Sequence, residues 1–285
     1  MEEWRYISFS QYDAFENMAI DEAILRANQQ KEMSPTLRFY GWKSPSVSLG
    51  YFQNVRNEVN VEFCHDMGIH IVRRPTGGKA VLHEKDLTYS VVARENNSLF
   101  PHGLLGTYRV ISECISAGLA KLGIKADLLK EGRSTGALEL EALCFSIPSQ
   151  YELLVNGKKI CGSAQMRSKG VFLQHGSILM EFDPARTYSI IAKSDVDITG
   201  QDITRQKEKL KKQVTSVNET ANIKTDYTSL CQILASSFEE FLGIRLVEGK
   251  LTPEEETVKE HLLQHKYTDS RWNMEGKAIE WIFKK

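Results

Sequence analysis

Residues 151–180 read YELLVNGKKICGSAQMRSKGVFLQHGSILM, and this stretch decides the fold. Tyr151 to Val155 is a strand-like run closed by Asn156-Gly157. That pair is the strongest short hairpin signal, because a type I′ turn needs positive φ at both central positions. The return strand runs from Lys158 to Gln165, a second turn falls near Ser168-Lys169-Gly170, and Val171 to Met180 forms a third strand. Three strands joined by tight turns make an antiparallel meander. With a two-residue first loop, Val155 faces Lys158 and Leu154 faces Lys159. Alternation then places Lys159, Cys161 and Ser163 on one face and Ile160, Gly162 and Ala164 on the other. Read as a three-residue loop, 168–170 sets Ser163 opposite His175 on that same face, whereas a two-residue loop would flip the parity.

The flanks extend the pattern. Phe15, Met18, Ala19 and Leu25 predict an amphipathic helix over 14–30. Leu37 to Tyr40 and Ser46 to Leu49 read as short strands around a Lys43-Ser44-Pro45 breaker. Ile69 to Arg73 alternates into a turn at Pro75-Thr76-Gly77-Gly78, and Leu87 to Val92 is another strand. Tyr108, Ile111, Ile115, Leu119 and Leu122 step by three or four, predicting a helix over 105–122. From 124 to 142 the pattern decays into what reads as an exposed loop. Beyond Asp183-Pro184 the run Gln206 to Lys212 is the solvated face of a short helix. A further helix ends near Gly243, and Thr252-Pro253-Glu254-Glu255 opens a last one. The fold class is α+β: a mixed, largely antiparallel sheet flanked by helices, with helical C-terminal additions.

Composition narrows the function. The 285 residues carry 36 Lys+Arg against 37 Asp+Glu, so a formal net charge of −1 excludes binding nucleic acid by bulk attraction. No apolar run approaches the roughly 18 residues of a membrane span, so no membrane partner is expected. Met1 to Arg5 lacks a basic and then apolar leader, which predicts a cytoplasmic protein. The cysteines Cys64, Cys114, Cys144, Cys161 and Cys231 are odd in number and widely spread, reading as reduced thiols. None has metal-ligand spacing, so no metal is expected.

Four clusters could carry chemistry: Arg73-Arg74-Pro75-Thr76-Gly77-Gly78, His83, Cys144, and Lys159 through His175. Paired glycines let backbone amides approach a ligand, and two arginines favour an anion, although Thr-Gly-Gly alone is more often a tight turn. An inward Lys159 is a desolvated cation, costly unless it meets an anion or thiolate. Cys144 enters the sheet just ahead of the hairpin, and a cysteine beside an ammonium ionises more readily. Cys161 competes for that role, and the residues alone leave the choice open.

Taken together, Arg73-Arg74-Pro75-Thr76-Gly77-Gly78-Lys79-Ala80-Val81-Leu82-His83, Asp86-Leu87-Thr88-Tyr89-Ser90, Lys159-Ile160-Cys161-Gly162-Ser163-Ala164-Gln165 and Gln174-His175-Gly176-Ser177-Ile178-Leu179 resemble the lipoate–protein ligase and octanoyltransferase superfamily, related to biotin–protein ligases. The segment Cys144 to Leu153 looks like the nucleophile segment of its cysteine-dependent octanoyltransferases. The resemblance implies an acyltransferase catalytic domain over 1–250 and a C-terminal helical extension packed on it over 251–285. It implies Cys144 as the acyl-thioester residue and Lys159 as the group lowering its pKa. Arg73, Arg74, Thr76, Gly77, Gly78, His83, Gly162, Ser163, Ala164 and His175 would line the substrate slot, with both histidines shaping it or helping to move a proton. The implied donor is octanoyl-acyl carrier protein, its acyl group carried on phosphopantetheine, with no other cofactor. The acceptor is a lipoyl-domain protein, either glycine cleavage H protein-like or a dehydrogenase E2 component. Alternatives are a lipoyl-domain octanoyl amidotransferase, an ATP-dependent lipoate–protein ligase, or a binder without turnover. Lys158, Arg167 and Lys169 on the meander turns are candidate docking cations.

Overall fold

The computed structural model describes residues 1–129, 152–191 and 201–276. In chain order its elements are β1 (Glu2–Tyr12), α1 (Ala14–Gln30), β2 (Thr36–Trp42), β3 (Ser46–Leu49), α2 (Val55–Glu58) and α3 (Val61–Asp66). The chain continues with β4 (His70–Arg73), β5 (Val81–His83), β6 (Asp86–Arg94), α4 (Leu104–Lys121), β7 (Asp127–Leu128), β8 (Leu153–Val155), β9 (Lys158–Ser168) and β10 (Val171–Leu179). It closes with α5 (Pro184–Ile191), α6 (Gln201–Gln213), α7 (Val217–Thr220), α8 (Tyr227–Leu242), β11 (Ile244–Glu248) and α9 (Pro253–Leu262). Caps explain several boundaries. Asp13 accepts from the Glu16 amide to start α1, and Gly243 at φ 65° stops α8 in the left-handed region only glycine enters freely. Thr252 and Glu255 form the expected capping box on α9.

Eight strands form one sheet in the order β11-β1-β2-β6-β10-β9-β8-β7, parallel among the first three and antiparallel from β2 onward. A small second sheet, β4-β3-β5, stands apart from it. One face of the large sheet buries Phe39, Tyr89, Val91 and Phe172 against Ile111, Ile115 and Leu119 of α4 and Leu234 and Phe238 of α8. The other face packs Val92, Val171 and Leu173 against Ile20, Ile24 and Leu25 of α1. The architecture is the expected α+β class. The C-terminal segment lies on α1: Leu262, Tyr267 and Trp272 share a cluster with Ala14 and Met18. Arg5 grips buried Glu255 through two 2.6 Å bonds, tying β1 to α9.

Two expectations about register need correction, and one strand had no counterpart in the sequence reading. The second meander turn is the two-residue loop Lys169-Gly170, with φ of 50° and 73° and Ser168 paired to Val171. Parity therefore flips: His175 faces Ala164, and Ser163 faces Gly176. The face shared by Lys159, Cys161 and Ser163 is also broken. A bulge pairs Leu153 with Cys161 but Leu154 with Lys159, so one residue of β8 opposes two of β9. Ile160 and Cys161 both enter the main core as a result, while Lys159 turns to Glu152. Finally, β1 was invisible to strand periodicity. Its register shifts between Ile7 and Ser10, so Trp4 and Phe9 reach one core and Ile7 and Tyr12 the opposite one.

Candidate functional site

Register builds the site in two rows. On the α1 side of the sheet, Arg38, Ser90, His175 and Ala164 lie side by side across β2, β6, β10 and β9. One step along, Tyr40, Thr88, Ser177 and Gly162 form the second row. The small sheet stands over these rows and encloses a cavity of about 210 Å³. Seven of the residues expected there line it: Arg74, Gly78, His83, Gly162, Ser163, Ala164 and His175. Ser48, Tyr40, Trp42, Thr88, Glu152 and Ser177 line it as well, and none was assigned to the slot from sequence.

A buried aspartate anchors each row. Asp21 of α1 accepts from Arg38 at 2.7 Å, Tyr40 at 2.8 Å, Ser90 at 2.9 Å and His175 Nδ1 at 3.1 Å. Burial alone would raise its pKa, but the Arg38 guanidinium and then His175 outweigh it and hold the carboxyl below its usual range. Asp86 Oδ2 accepts from His83 Nδ1, Thr88 and Ser177 at 2.8, 2.9 and 2.8 Å. Because each carboxylate only accepts, Nδ1 carries the hydrogen in both histidines, and in the neutral imidazole Nε2 is left to accept. His175 Nε2 meets the Thr76 hydroxyl at 2.7 Å, and His83 Nε2 meets the Ser48 hydroxyl at 2.8 Å. Arg74 joins the two series, donating from Nε to Thr76 and from Nη1 to Ser48, both at 3.2 Å. Burial lowers the pKa of His175 despite Asp21 beside it.

The Arg-Arg-Pro-Thr-Gly-Gly loop differs from the anion cradle its residues suggested. Arg73 does not line the cavity. Its guanidinium donates to the carbonyls of Gly50, Tyr51, Gln53, Trp272 and Asn273, clamping the loop to the C-terminal segment. Thr76 sits behind the wall on His175, and Gly77 stands in open space away from the lining. Arg74 holds the turn by donating to the carbonyls of Ser48, Gly77 and Lys79. Gly78, at φ +94°, lays its carbonyl only 1.9 Å from where a Cβ on Gly50 would stand. That glycine pair serves the close approach of two backbone segments.

Lys159 is 1% exposed, with Nζ 2.6 Å from Glu152 Oε1, and Glu152 itself lines the cavity. Cys144 lies outside the described residues. The four cysteines within them are all buried, and none lines the cavity. Burial pushes Cys64 up to about 11, Cys231 up to about 12, and Cys114 further still. Cys161 is also pushed up to about 12 by burial, which its Ser163 hydrogen bond and the Lys159 charge only partly offset. Among the described residues, no cluster of His, Cys, Asp or Glu could hold a metal ion, and no helix is long and apolar enough to cross a membrane.

The sequence pattern of the lipoyl protein ligase A/B catalytic domain matches residues 13–239. Octanoyltransferase LipM of Kyrpidia tusciae is 41% identical over 276 residues, covering 96% of this chain and 99% of the relative. The Bacillus subtilis octanoyltransferase LipM is 37% identical over 283 residues, covering 95% and 98%. Among solved structures, a bipartite lipoate protein ligase of Thermoplasma acidophilum superposes with a TM-score of 0.79 at 26% identity, covering 99% of this chain and all of the other. The chain belongs to the lipoyl protein ligase A/B catalytic-domain family. Within it the chain stands with the octanoyltransferases, and it is an acyltransferase of lipoate biosynthesis.

Proposed function

We propose that the enzyme takes octanoate from octanoyl-acyl carrier protein onto Cys144 as a thioester and passes it to a specific lysine of a lipoyl-domain protein in the cytosol. The observation that carries this reading is the buried Lys159 beside Glu152 at the cavity edge, where an ammonium has a reason to be desolvated. Lys159 ionises the Cys144 thiol in the free enzyme, then turns its charge on the thioester carbonyl as oxyanion develops. The raised pKa values of Cys64, Cys114, Cys161 and Cys231 support Cys144 by removing its competitors. Exchange between phosphopantetheine sulfur and cysteine sulfur is nearly thermoneutral, and amide formation is downhill. No ATP and no further cofactor is needed.

Intact-protein mass after incubation with octanoyl-acyl carrier protein should show one octanoyl adduct, located on Cys144 and removed by hydroxylamine. Loading instead from an octanoylated lipoyl domain would make the enzyme an amidotransferase. Release of pyrophosphate from ATP and free octanoate would make it a ligase.

The expected docking cations do not form one patch. Lys158 sits at the first meander turn, 3.7 Å from Glu219, while Arg167 sits at the far end of β9, paired to Glu95 at 2.8 Å. Helix α6 offers a better surface. Arg205, Lys207, Lys209, Lys211 and Lys212 project from it against a lone Glu208 over that span. The chain leaves α6 at Val214, which bridges to Lys159, and the Thr215 amide donates to the Lys159 carbonyl at 3.0 Å. An acidic carrier protein seated on α6 would therefore deliver its arm beside Lys159. Reversing Lys207, Lys211 and Lys212 to Glu should raise KM for the carrier-protein donor by roughly tenfold or more and leave kcat within about twofold. An unchanged KM at low salt removes α6 from the docking surface.

A further inference from the structure

Resting on the thioester reading above, the geometry points to a second catalytic device for its deacylation half. We propose that the Ser48–His83–Asp86 series accepts the proton that the acceptor lysine must lose when it attacks the octanoyl thioester. An amine adding to a carbonyl becomes acidic as its nitrogen gains positive charge, so a base with a nearby lone pair lowers the barrier. Among the titratable side chains that line the cavity, Arg74 and Lys79 are cations, Tyr40 already donates its hydroxyl to Asp21, and Glu152 is engaged by Lys159. His83 and His175 are left.

Their aspartates separate the two. The charge of Asp21, behind His175, is already matched by Arg38 at 2.7 Å. Asp86, behind His83, receives only His83 and two neutral hydroxyls, and its Oδ1 is buried without a hydrogen-bond partner among the described residues. Asp86 thus keeps its charge for an imidazolium at His83, whereas Asp21 does not for His175. His83 is also held face-on against Trp42, with ring centres 3.9 Å apart. In front of it, the Ser48 hydroxyl donates to Nε2 and accepts from Arg74, which leaves one oxygen lone pair for an incoming N–H.

The step balances. The lysine nitrogen bonds to the thioester carbonyl carbon, and its proton passes to Ser48 Oγ as the Ser48 proton moves to His83 Nε2. The carbon–sulfur bond then breaks, leaving its electron pair on the Cys144 sulfur as a thiolate. The His83 proton is released to water. His83 is the catalytic base and Asp86 a positioning residue.

The test separates the half-reactions. In His83→Ala, the octanoyl adduct should form on Cys144 within about fivefold of the wild-type rate, whereas single-turnover transfer from that adduct to a lipoyl-domain protein should fall about 10²- to 10³-fold. Added imidazole, filling the space beside Trp42, should restore transfer at least about tenfold, which a merely structural histidine would not allow. Asp86→Asn should reduce transfer by at least about tenfold, again sparing adduct formation. Wild-type transfer by His83→Ala would overturn the proposal, as would equal loss of both half-reactions without imidazole rescue. Absence of any adduct on the wild-type enzyme would overturn the thioester reading beneath it.

Discussion

Cys144→Ser should lose transfer of octanoate to a lipoyl-domain protein by at least about 10³-fold, together with every hydroxylamine-sensitive adduct. The physical reason lies in both halves of the cycle. A nearby ammonium can bring a thiol into the thiolate range, but it cannot ionise an aliphatic hydroxyl at neutral pH. If serine were acylated, the resulting ester would expel an alkoxide, a far poorer leaving group than a thiolate. No other described cysteine can substitute, since all four are buried and burial raises every one of their pKa values. Cys161→Ala serves as the control, because its sulfur lies in the main core and contributes nothing to the cavity wall. It should keep its adduct and its transfer rate. Transfer by Cys144→Ser within about tenfold of wild type would end the thioester mechanism.

Much of the site was legible because its residues cluster in sequence. His83, Arg74 and Gly78 fall within a dozen positions, and Gly162, Ser163, Ala164 and His175 within one hairpin. What alternation cannot provide is which strands lie side by side. Tyr40, Thr88, Ser177 and Gly162 become one row only through pairings between strands that lie far apart in the sequence, as Thr88 with Ser177 does. Ser48 reads as an ordinary small strand residue, and its role depends on β3 crossing beside β5 so that its hydroxyl meets His83. Arg73 misled for a related reason. Two adjacent residues leave a strand end in opposite directions, so Arg73 turns to the C-terminal segment while Arg74 turns to the cavity. The bulge at Ile160 and Cys161 shifted parity within a strand whose start at Lys158 was read correctly and whose end lies at Ser168, beyond the expected Gln165. A single inserted residue changes every face beyond it, and local composition does not announce it.

The largest stability effect is expected at Asp21. Asp21→Asn keeps the shape but leaves the 1%-exposed Arg38 guanidinium without its counter-charge, and removing one partner of a buried pair costs about 3–5 kcal/mol. For a chain of this size that corresponds to roughly a 10 °C fall in Tm. Arg38 also contacts the Asn17 side chain at 2.6 Å and stacks 3.9 Å from the Tyr40 ring, so the loss spreads through α1 and β2. The pH dependence has a definite sign. Asp21 and Glu22 both have folded-state pKa values below their ordinary ones: burial would raise them, but Arg38, His175 and Tyr40 together outweigh it at Asp21, and Lys266, Arg26 and Tyr267 together at Glu22. Their stabilisation is therefore complete above the unfolded carboxyl values near 4 and is lost as pH falls through the lower folded values. Wild type should lose Tm steeply below about pH 4, and Asp21→Asn should show a shallower acid limb. In the double variant Asp21→Asn with Arg38→Met the buried charge is gone, so much of the loss should be recovered. Losses that simply add in the double variant, or an acid limb unchanged by Asp21→Asn, would show that the ion pair does not hold α1 to the sheet.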